Sequence, residues 1–323
     1  MLVPGDPEGR RAWAVARRRM EQGREKHSPV RRRRRRKQHW DPFVHLLRVA
    51  EVGLRLIGLH RRGVRNALAF AVNRIDLAFV DLPPAFDGFR ILQISDPHFD
   101  AVPGIDERLC ALVAAEAVDL CVLTGDYLLK NGGSFAQVLP CFVRLAAAVE
   151  ARHGIVAILG NHDPADLVPG IEASGIRVLI NESLTVDRAG EAIHLTGTDD
   201  VHYFYTDAVP TALAAAPAGF RIALVHSAEA AALADTVGFQ LYLAGHTHGG
   251  QVCLPGGRPL FTHLTCHQAY ARGVWQHGTM TGYTSTGVGV SGIPVRFNCP
   301  GELAVITLRR QVRAQDQLAL SSQ

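Results

Sequence analysis

The sequence predicts a layered α/β sandwich. From Ile75 onward, short apolar runs of strand length alternate with longer segments of helical period. Five of those runs end alike, on Asp, Asn or His. The scale also fits, since 323 residues at 47% hydrophobic content can bury one large core or two ordinary ones.

The elements follow in order. Residues 1–40 carry dense charge, including Arg31 to Arg36 and then Lys37, with little apolar periodicity. Like charges so close repel, and a disordered basic tail is expected there. Over 42–59, Phe43, Leu46, Leu47, Ala50, Leu54 and Ile57 recur at helical spacing, while His45, Arg48, Glu51 and Arg55 form a polar stripe. Those charges interrupt the segment too early for a membrane span. A second helix is expected over 61–74, with Val64, Leu68, Ala71 and Val72 on one face. Residues 41–74 thus read as an amphipathic helical membrane-surface segment, and 75–323 as the α/β domain. In that domain strands are expected at 75–81, 90–95, 119–124, 155–159, 176–187, 191–197, 220–225, 240–244 and 302–309. Helices are expected near 105–117, 135–150, 164–174, 208–216 and 228–236.

The charge is divided between these parts. Residues 1–74 hold 20 Lys/Arg against 6 Asp/Glu, and residues 75–323 hold 14 against 24. A basic arm on an acidic body suits an anionic surface, lipid headgroups or nucleic acid. Beside an anionic leaflet each basic residue adds ~1 kcal/mol. The expected location is the cytoplasmic face of the inner membrane, held peripherally. Export is the alternative, through Arg10-Arg11 or Arg17–Arg19 as a twin-arginine signal, but residues 20–40 offer no apolar core for one. The six cysteines form no Cys-x-x-Cys pair and read as reduced thiols.

The strand ends carry the chemistry. Ile91–Ser95 runs into Asp96 and His98, and Leu120–Thr124 into Gly125-Asp126. Ile155–Leu159 runs into Gly160-Asn161-His162-Asp163, Ile222–Val225 into His226, and Leu241–Ala244 into Gly245-His246-Thr247-His248. Parallel sheets place function at the carboxyl ends of their strands, so these side chains are expected at one edge. A mixed oxygen and nitrogen set suits two divalent ions of intermediate softness: manganese, iron or zinc before magnesium or calcium.

In order and spacing these five blocks resemble the calcineurin-like metallophosphoesterase superfamily, over about residues 76–309. The ending Gly287–Pro300 resembles a bacterial branch often found with an N-terminal membrane or export segment. That branch includes phosphodiesterases and enzymes of lipid-linked pyrophosphates. The resemblance implies a four-layer α-β-β-α sandwich with two packed mixed sheets. It implies one metal on Asp96, His98 and His248, and a second on Asn161, His226 and His246, with Asp126 bridging. His162 would face the phosphate as general acid or transition-state stabiliser, with Asp163 orienting its ring. Two ions ~3.5–4 Å apart would share the attacking hydroxide and neutralise phosphoryl charge. One departure stands out: relatives often continue Gly-Asp-x-x-Asp, and Leu129 occupies the last position.

The expected substrate is a phosphodiester or pyrophosphate, lipid-linked because the basic amphipathic arm favours a membrane. Alternatives are a soluble nucleotide or nucleic-acid phosphodiesterase, and a non-catalytic membrane adaptor with a structural metal site. No protein partner is evident in the sequence. Gly287–Gly292 matches G-x-G-x-x-G, but Pro294 follows where a helix is needed, so it reads as a glycine loop at the rim of the phosphate site. His202, His263, His267 and His277 read as exposed loop residues, His202 being the best placed to contact substrate.

Overall fold

The computed structural model describes residues 7–23, 40–129, 135–264 and 266–311. Three helices come first: α1 (Pro7–Glu21), α2 (Trp40–Leu56) and α3 (His60–Leu68). Then follow β1 (Ala71–Phe79), β2 (Arg90–Ile94), α4 (Ile105–Val113), β3 (Ala117–Val118) and β4 (Leu120–Leu123). Next are α5 (Leu139–Ala148), β5 (Glu150–Ala151), β6 (Ile155–Ala157), α6 (Val168–Ala173) and β7 (Arg177–Val178). The second half holds β8 (Glu182–Arg188), β9 (Glu191–Gly197), α7 (Ala208–Ala214), β10 (Phe220–Leu224), α8 (Ala231–Thr236) and β11 (Leu241–Ala244). Strands β12 (Gly273–His277), β13 (Met280–Thr284) and β14 (Glu302–Arg310) complete it.

Two six-stranded sheets result, ordered β1-β14-β2-β4-β6-β7 and β12-β13-β11-β10-β9-β8. Both are mixed. Strands β2, β4 and β6 run parallel, and β14 joins β2 antiparallel. Strands β9, β10 and β11 also run parallel, with β8 antiparallel on β9. Alternation along each strand sorts its side chains between layers. Ile91, Leu120 and Val156 of the first sheet meet Ile222, Leu224 and Leu241 of the second in the central core. Their neighbours Leu92, Cys121 and Ile155 face outward onto Leu109, Phe142 and Ile171 of the flanking helices. On the other side, Ala223 and Tyr242 face Val209, Leu213 and Ala234. The layers are therefore helix, sheet, sheet, helix. Runs such as Ile91–Ile94 are wholly apolar or buried because both faces are covered. All six cysteines are free.

The amino-terminal segment differs from its expected form. Pro7–Glu21 is a helix, not part of a disordered tail. Pro7 opens it, Glu8 sits in its first turn and Arg18 and Arg19 in its last, as the helix dipole favours. Some of the charges find distant partners: Arg10 pairs with Glu172 and Glu182, and Arg18 with Asp166. Charge density alone predicts repulsion; the acidic partners lie more than 140 residues away in sequence and are invisible locally. Arg31 to Arg36 lie outside the described residues.

The second expected helix, over 61–74, stops at Leu68, and the first strand begins at Ala71 rather than Ile75. Pairing decides this boundary, because Ala71 to Arg74 lie in register with Glu302 to Val305 of β14. Helix α3 packs on the body. Ala67 is fully buried, Asn66 donates to the Arg296 carbonyl at 2.9 Å, and a side chain at Gly63 would collide with Val295. Among the described residues no helix is long and apolar enough to cross a membrane.

Candidate metal centre

The centre grows from five loops at the carboxyl ends of β2, β4, β6, β10 and β11. Main-chain hydrogen bonds lace these loops together. The amide of Asp96 donates to Gly125, that of His98 to Asp126, and that of Gly245 to His226, at 2.9–3.1 Å. Gly125 and Gly160 allow the second and third loops to touch. A Cβ on Gly125 would lie 2.5 Å from the Gly160 nitrogen, and one on Gly160 would lie 2.1 Å from Asp126 Oδ1. Asp96, His98, Asp126, His246 and His248 all adopt positive φ, between 39° and 71°. Such backbone costs of order 1–3 kcal/mol per residue and clusters where a site demands it.

Two groups of ligand atoms converge. Asp96, His98 and His248 form one, and Asp126, His226 and His246 the other; all six residues are buried. His98 Nε2 lies 3.2 Å from His248 Nε2, which lies 3.5 Å from Asp96 Oδ1. In the second group His226 Nε2 lies 3.3 Å from Asp126 Oδ2. Ligands ~2.0–2.2 Å from a shared ion sit ~3–3.5 Å from one another. Asp126 also faces the first group, with Oδ2 3.9 Å from His98 Nε2.

Ring orientation is fixed from behind. His98 Nδ1 donates to the Leu128 carbonyl and His226 Nδ1 to the Thr124 carbonyl, each at 2.7 Å. That tautomer leaves each Nε2 lone pair aimed into the site. Asp96 is held by the His246 amide at 3.0 Å and by the Ser95 hydroxyl.

The residues present fit divalent metal. Asn161 Oδ1, His226 Nε2 and both ring nitrogens of His246 are buried without a hydrogen-bond partner. Buried polar atoms are rarely left so, and His226 and His246 belong to the group that Asp126 completes. Electrostatics points the same way. Burial pushes the Asp96 carboxyl up to about 6 and the His98 imidazole down to about 4. Burial, then the neighbouring histidines, also lowers His246 and His248. Burial alone would raise Asp126, yet His226 and His162 hold it well below the usual carboxylate range. Burial opposes protonation of His226, and Asp126 overcomes it. Burial thus favours neutral His98, His246 and His248, while Asp126 favours a charged His226, and a cation would take the place of that charge among these donors.

His162 and Asp163 take different parts. His162 is partly exposed at the mouth; its amide donates to Asp126 Oδ1 at 2.9 Å and its Nδ1 to the Leu129 carbonyl at 2.8 Å. Its Nε2 lies 4.0 Å from Asp126 Oδ2. Asp163 does not orient this ring, contrary to expectation. Its carboxylate instead accepts the amides of Asp126, Tyr127 and Gly160 at 2.7–2.8 Å and so shapes the loop that carries Asp126. Three main-chain donors compete better for a buried carboxylate than one imidazole. The Leu129 departure changes a side chain, while the carbonyl that anchors His162 comes from the main chain and is kept.

Other residues were misplaced or missed by sequence reasoning. Gly287–Gly292 is no rim of a phosphate site. It backs the Asp96 loop, where Val288 and Gly289 donate to the Ser95 and Asp96 carbonyls at 2.9 and 2.8 Å. Arg296, fully buried, clamps it through the carbonyls of Gly287 and Gly289. His202 is buried rather than exposed. It pairs with Glu229 at 3.0 Å, and its ring centre lies 4.4 Å from that of His246. His263 is also largely enclosed, 6.4 Å from His246 ring to ring. His267 and His277 stand apart, both against Tyr270.

Comparison with known proteins agrees with this geometry. A family model described as calcineurin-like phosphoesterase matches residues 89–250. The chain is 32% identical over 236 residues to the uncharacterized metallophosphoesterase YkuE of Bacillus subtilis, covering 71% of this chain and 82% of that one. It is 29% identical to the phosphodiesterase YaeI of Escherichia coli, covering 68% and 82%. It is 26% identical to a bovine transmembrane protein with a metallophosphoesterase domain, covering 74% and 57%. The buried carboxylate and imidazole cage lies inside the matched segment, and the chain belongs to the calcineurin-like phosphoesterase family as a metal-dependent phosphoesterase.

Proposed function

We propose that the chain hydrolyses a phosphodiester or pyrophosphate of a lipid-linked substrate at an anionic membrane surface, using two divalent ions. The observation that carries the dinuclear part is the pair of ligand groups on either side of Asp126. Asp96, His98 and His248 would hold one ion, and Asn161, His226 and His246 the other, with Asp126 between them. When bound, such ions activate water near neutrality and neutralise phosphoryl charge; manganese, iron and zinc all suit the donors.

The chain's own residues do the rest. His162, anchored through Nδ1, presents Nε2 toward the space beside Asp126, where it can protonate or stabilise a leaving oxygen. A leaving alkoxide benefits most from that proton. Asp163 and Gly160 keep the Asp126 and His162 loops at contact distance, so the proton donor and the ligands move as one unit.

Helix α2 supports the membrane part. Leu47 and Leu54 turn inward, while Leu46, Val49, Val52 and Leu56 are 54–81% exposed along one stripe. Arg48 and Arg55, both exposed, border that stripe. An apolar stripe with flanking arginines suits a helix lying in the interfacial plane. Among the described residues of 1–74, α2 is the exposed helix that offers the surface contact, since α1 and α3 are docked on the body. The peripheral, cytoplasmic-face location is part of this proposal.

The test is sedimentation with vesicles of one part anionic to three parts neutral lipid, together with hydrolysis of a lipid pyrophosphate in those vesicles. Wild type should sediment and turn over. The double variant Leu46→Asp, Val49→Asp should stay in solution and lose vesicle turnover while cleaving bis(4-nitrophenyl) phosphate normally. Equal sedimentation of the two proteins would remove the membrane reading.

A further inference from the structure

A guanidinium from outside the family-matched segment sits directly behind the metal loops. Arg17 of α1 has no exposed surface. Its Nη2 donates to the Gly160 carbonyl at 2.9 Å and to the Asp163 carbonyl at 2.8 Å. Those carbonyls stand at the two ends of the turn that carries Asn161 and His162. Its Nη1 pairs with Asp199, and its plane lies 3.4 Å over the centre of the Phe204 ring. Trp13, one turn earlier, donates to the other oxygen of Asp199 at 2.6 Å.

The contacts continue beyond Asp199. Its Oδ1 accepts the Asp200 amide at 2.8 Å, and the Asp200 carboxylate accepts the amides of His202 and Tyr203 at 3.1 and 2.7 Å. His202 then packs its ring against His246. One guanidinium thus joins the loop after β6 to the loop after β9, and these two loops flank the group formed by Asp126, His226 and His246. Burying an arginine fully costs several kcal/mol unless its hydrogen bonds are met. Here they are met by Glu21 at Nε, by Asp199 at Nη1 and by the two carbonyls of the turn at Nη2.

We propose that Arg17 is a positioning residue, which sets Asn161 and His162 against the second metal group from an element the family segment does not include. The inference rests on the dinuclear phosphoesterase reading for its effect on turnover. The forked donor is needed to span both loops at once, which a lysine cannot do. Arg10 provides the contrast. It lies on the same helix, but it bonds Glu172, Val178 and Glu182, away from the turn.

The experiment uses the full chain with saturating manganese and compares Arg17→Ala, Asp199→Asn and Arg10→Ala with wild type. Two quantities are read: kcat and KM for bis(4-nitrophenyl) phosphate, and amide hydrogen exchange over residues 160–165. Arg17→Ala should lower kcat by about tenfold or more with KM within about threefold, and speed exchange in the turn by about tenfold. Asp199→Asn, which keeps its shape, should shift both in the same direction. Arg10→Ala should shift neither. Unchanged kcat and exchange in Arg17→Ala would overturn the proposal, and so would equal effects from Arg10→Ala. If wild type cleaves no phosphoester, the reaction reading fails, while the exchange comparison still decides whether Arg17 holds the turn.

Discussion

Gly160→Ala is the sharpest perturbation of the centre, because one methyl group is aimed at the carboxylate between the two ligand groups. The new Cβ would lie 2.1 Å from Asp126 Oδ1, 2.5 Å from the Asp126 nitrogen and 2.8 Å from its carboxyl carbon, whereas ordinary contact begins at 3.4 Å. The Asp126 loop must therefore retreat by about 1 Å. Overpacking of this kind costs about 1–3 kcal/mol of stability. Retreat would also lengthen the hydrogen bond from the His162 amide and the contact with His226. A misplacement of about 1 Å costs on the order of 100-fold in turnover. The assay is steady-state hydrolysis of bis(4-nitrophenyl) phosphate with saturating manganese, with metal content measured on the same sample. Gly53→Ala is the control, since a Cβ there meets nothing within 4 Å. Turnover of Gly160→Ala within about threefold of wild type, with metal retained, would refute the close-packed site.

Further outcomes follow from the same geometry. His162→Ala should lower turnover about 100-fold or more while metal content is unchanged, as mass spectrometry of the metals will report, because its ring serves a proton rather than an ion. Burial, then Glu229, pushes the Cys266 thiol up to about 11. Its native alkylation by iodoacetamide should therefore be slow at pH 8 and rise about tenfold for each pH unit up to about pH 10, since only the thiolate reacts. A rate that levels off between about pH 9 and 10 would show an ordinary thiol.

Much of the fold was legible because its signals are local. Runs such as Ile91–Ile94 and Leu120–Leu123 are buried throughout because both faces are covered, and each ends where a glycine or a polar ligand turns the chain. The six carboxylate and imidazole positions that converge were legible for the same reason, as each sits two to four positions past a strand. What was not legible depends on distant partners. Arg10 and Arg17 look like members of a charge run until Glu172, Glu182 and Asp199 are brought beside them. Asp163 sits next to His162 in sequence, yet its carboxylate faces three amides. The Gly287–Gly292 run is explained by the close approach of Asp96 and by the Arg296 clamp, and no turn signal reveals either.

Metal stoichiometry tests the central claim most directly. Equilibrium dialysis against manganese, read by mass spectrometry, should give two ions per chain for wild type, one for each ligand group. His248→Ala and His226→Ala should each lose one ion and, with it, hydrolysis of bis(4-nitrophenyl) phosphate. At most one ion in wild type, or undiminished hydrolysis in excess chelator, would contradict the account.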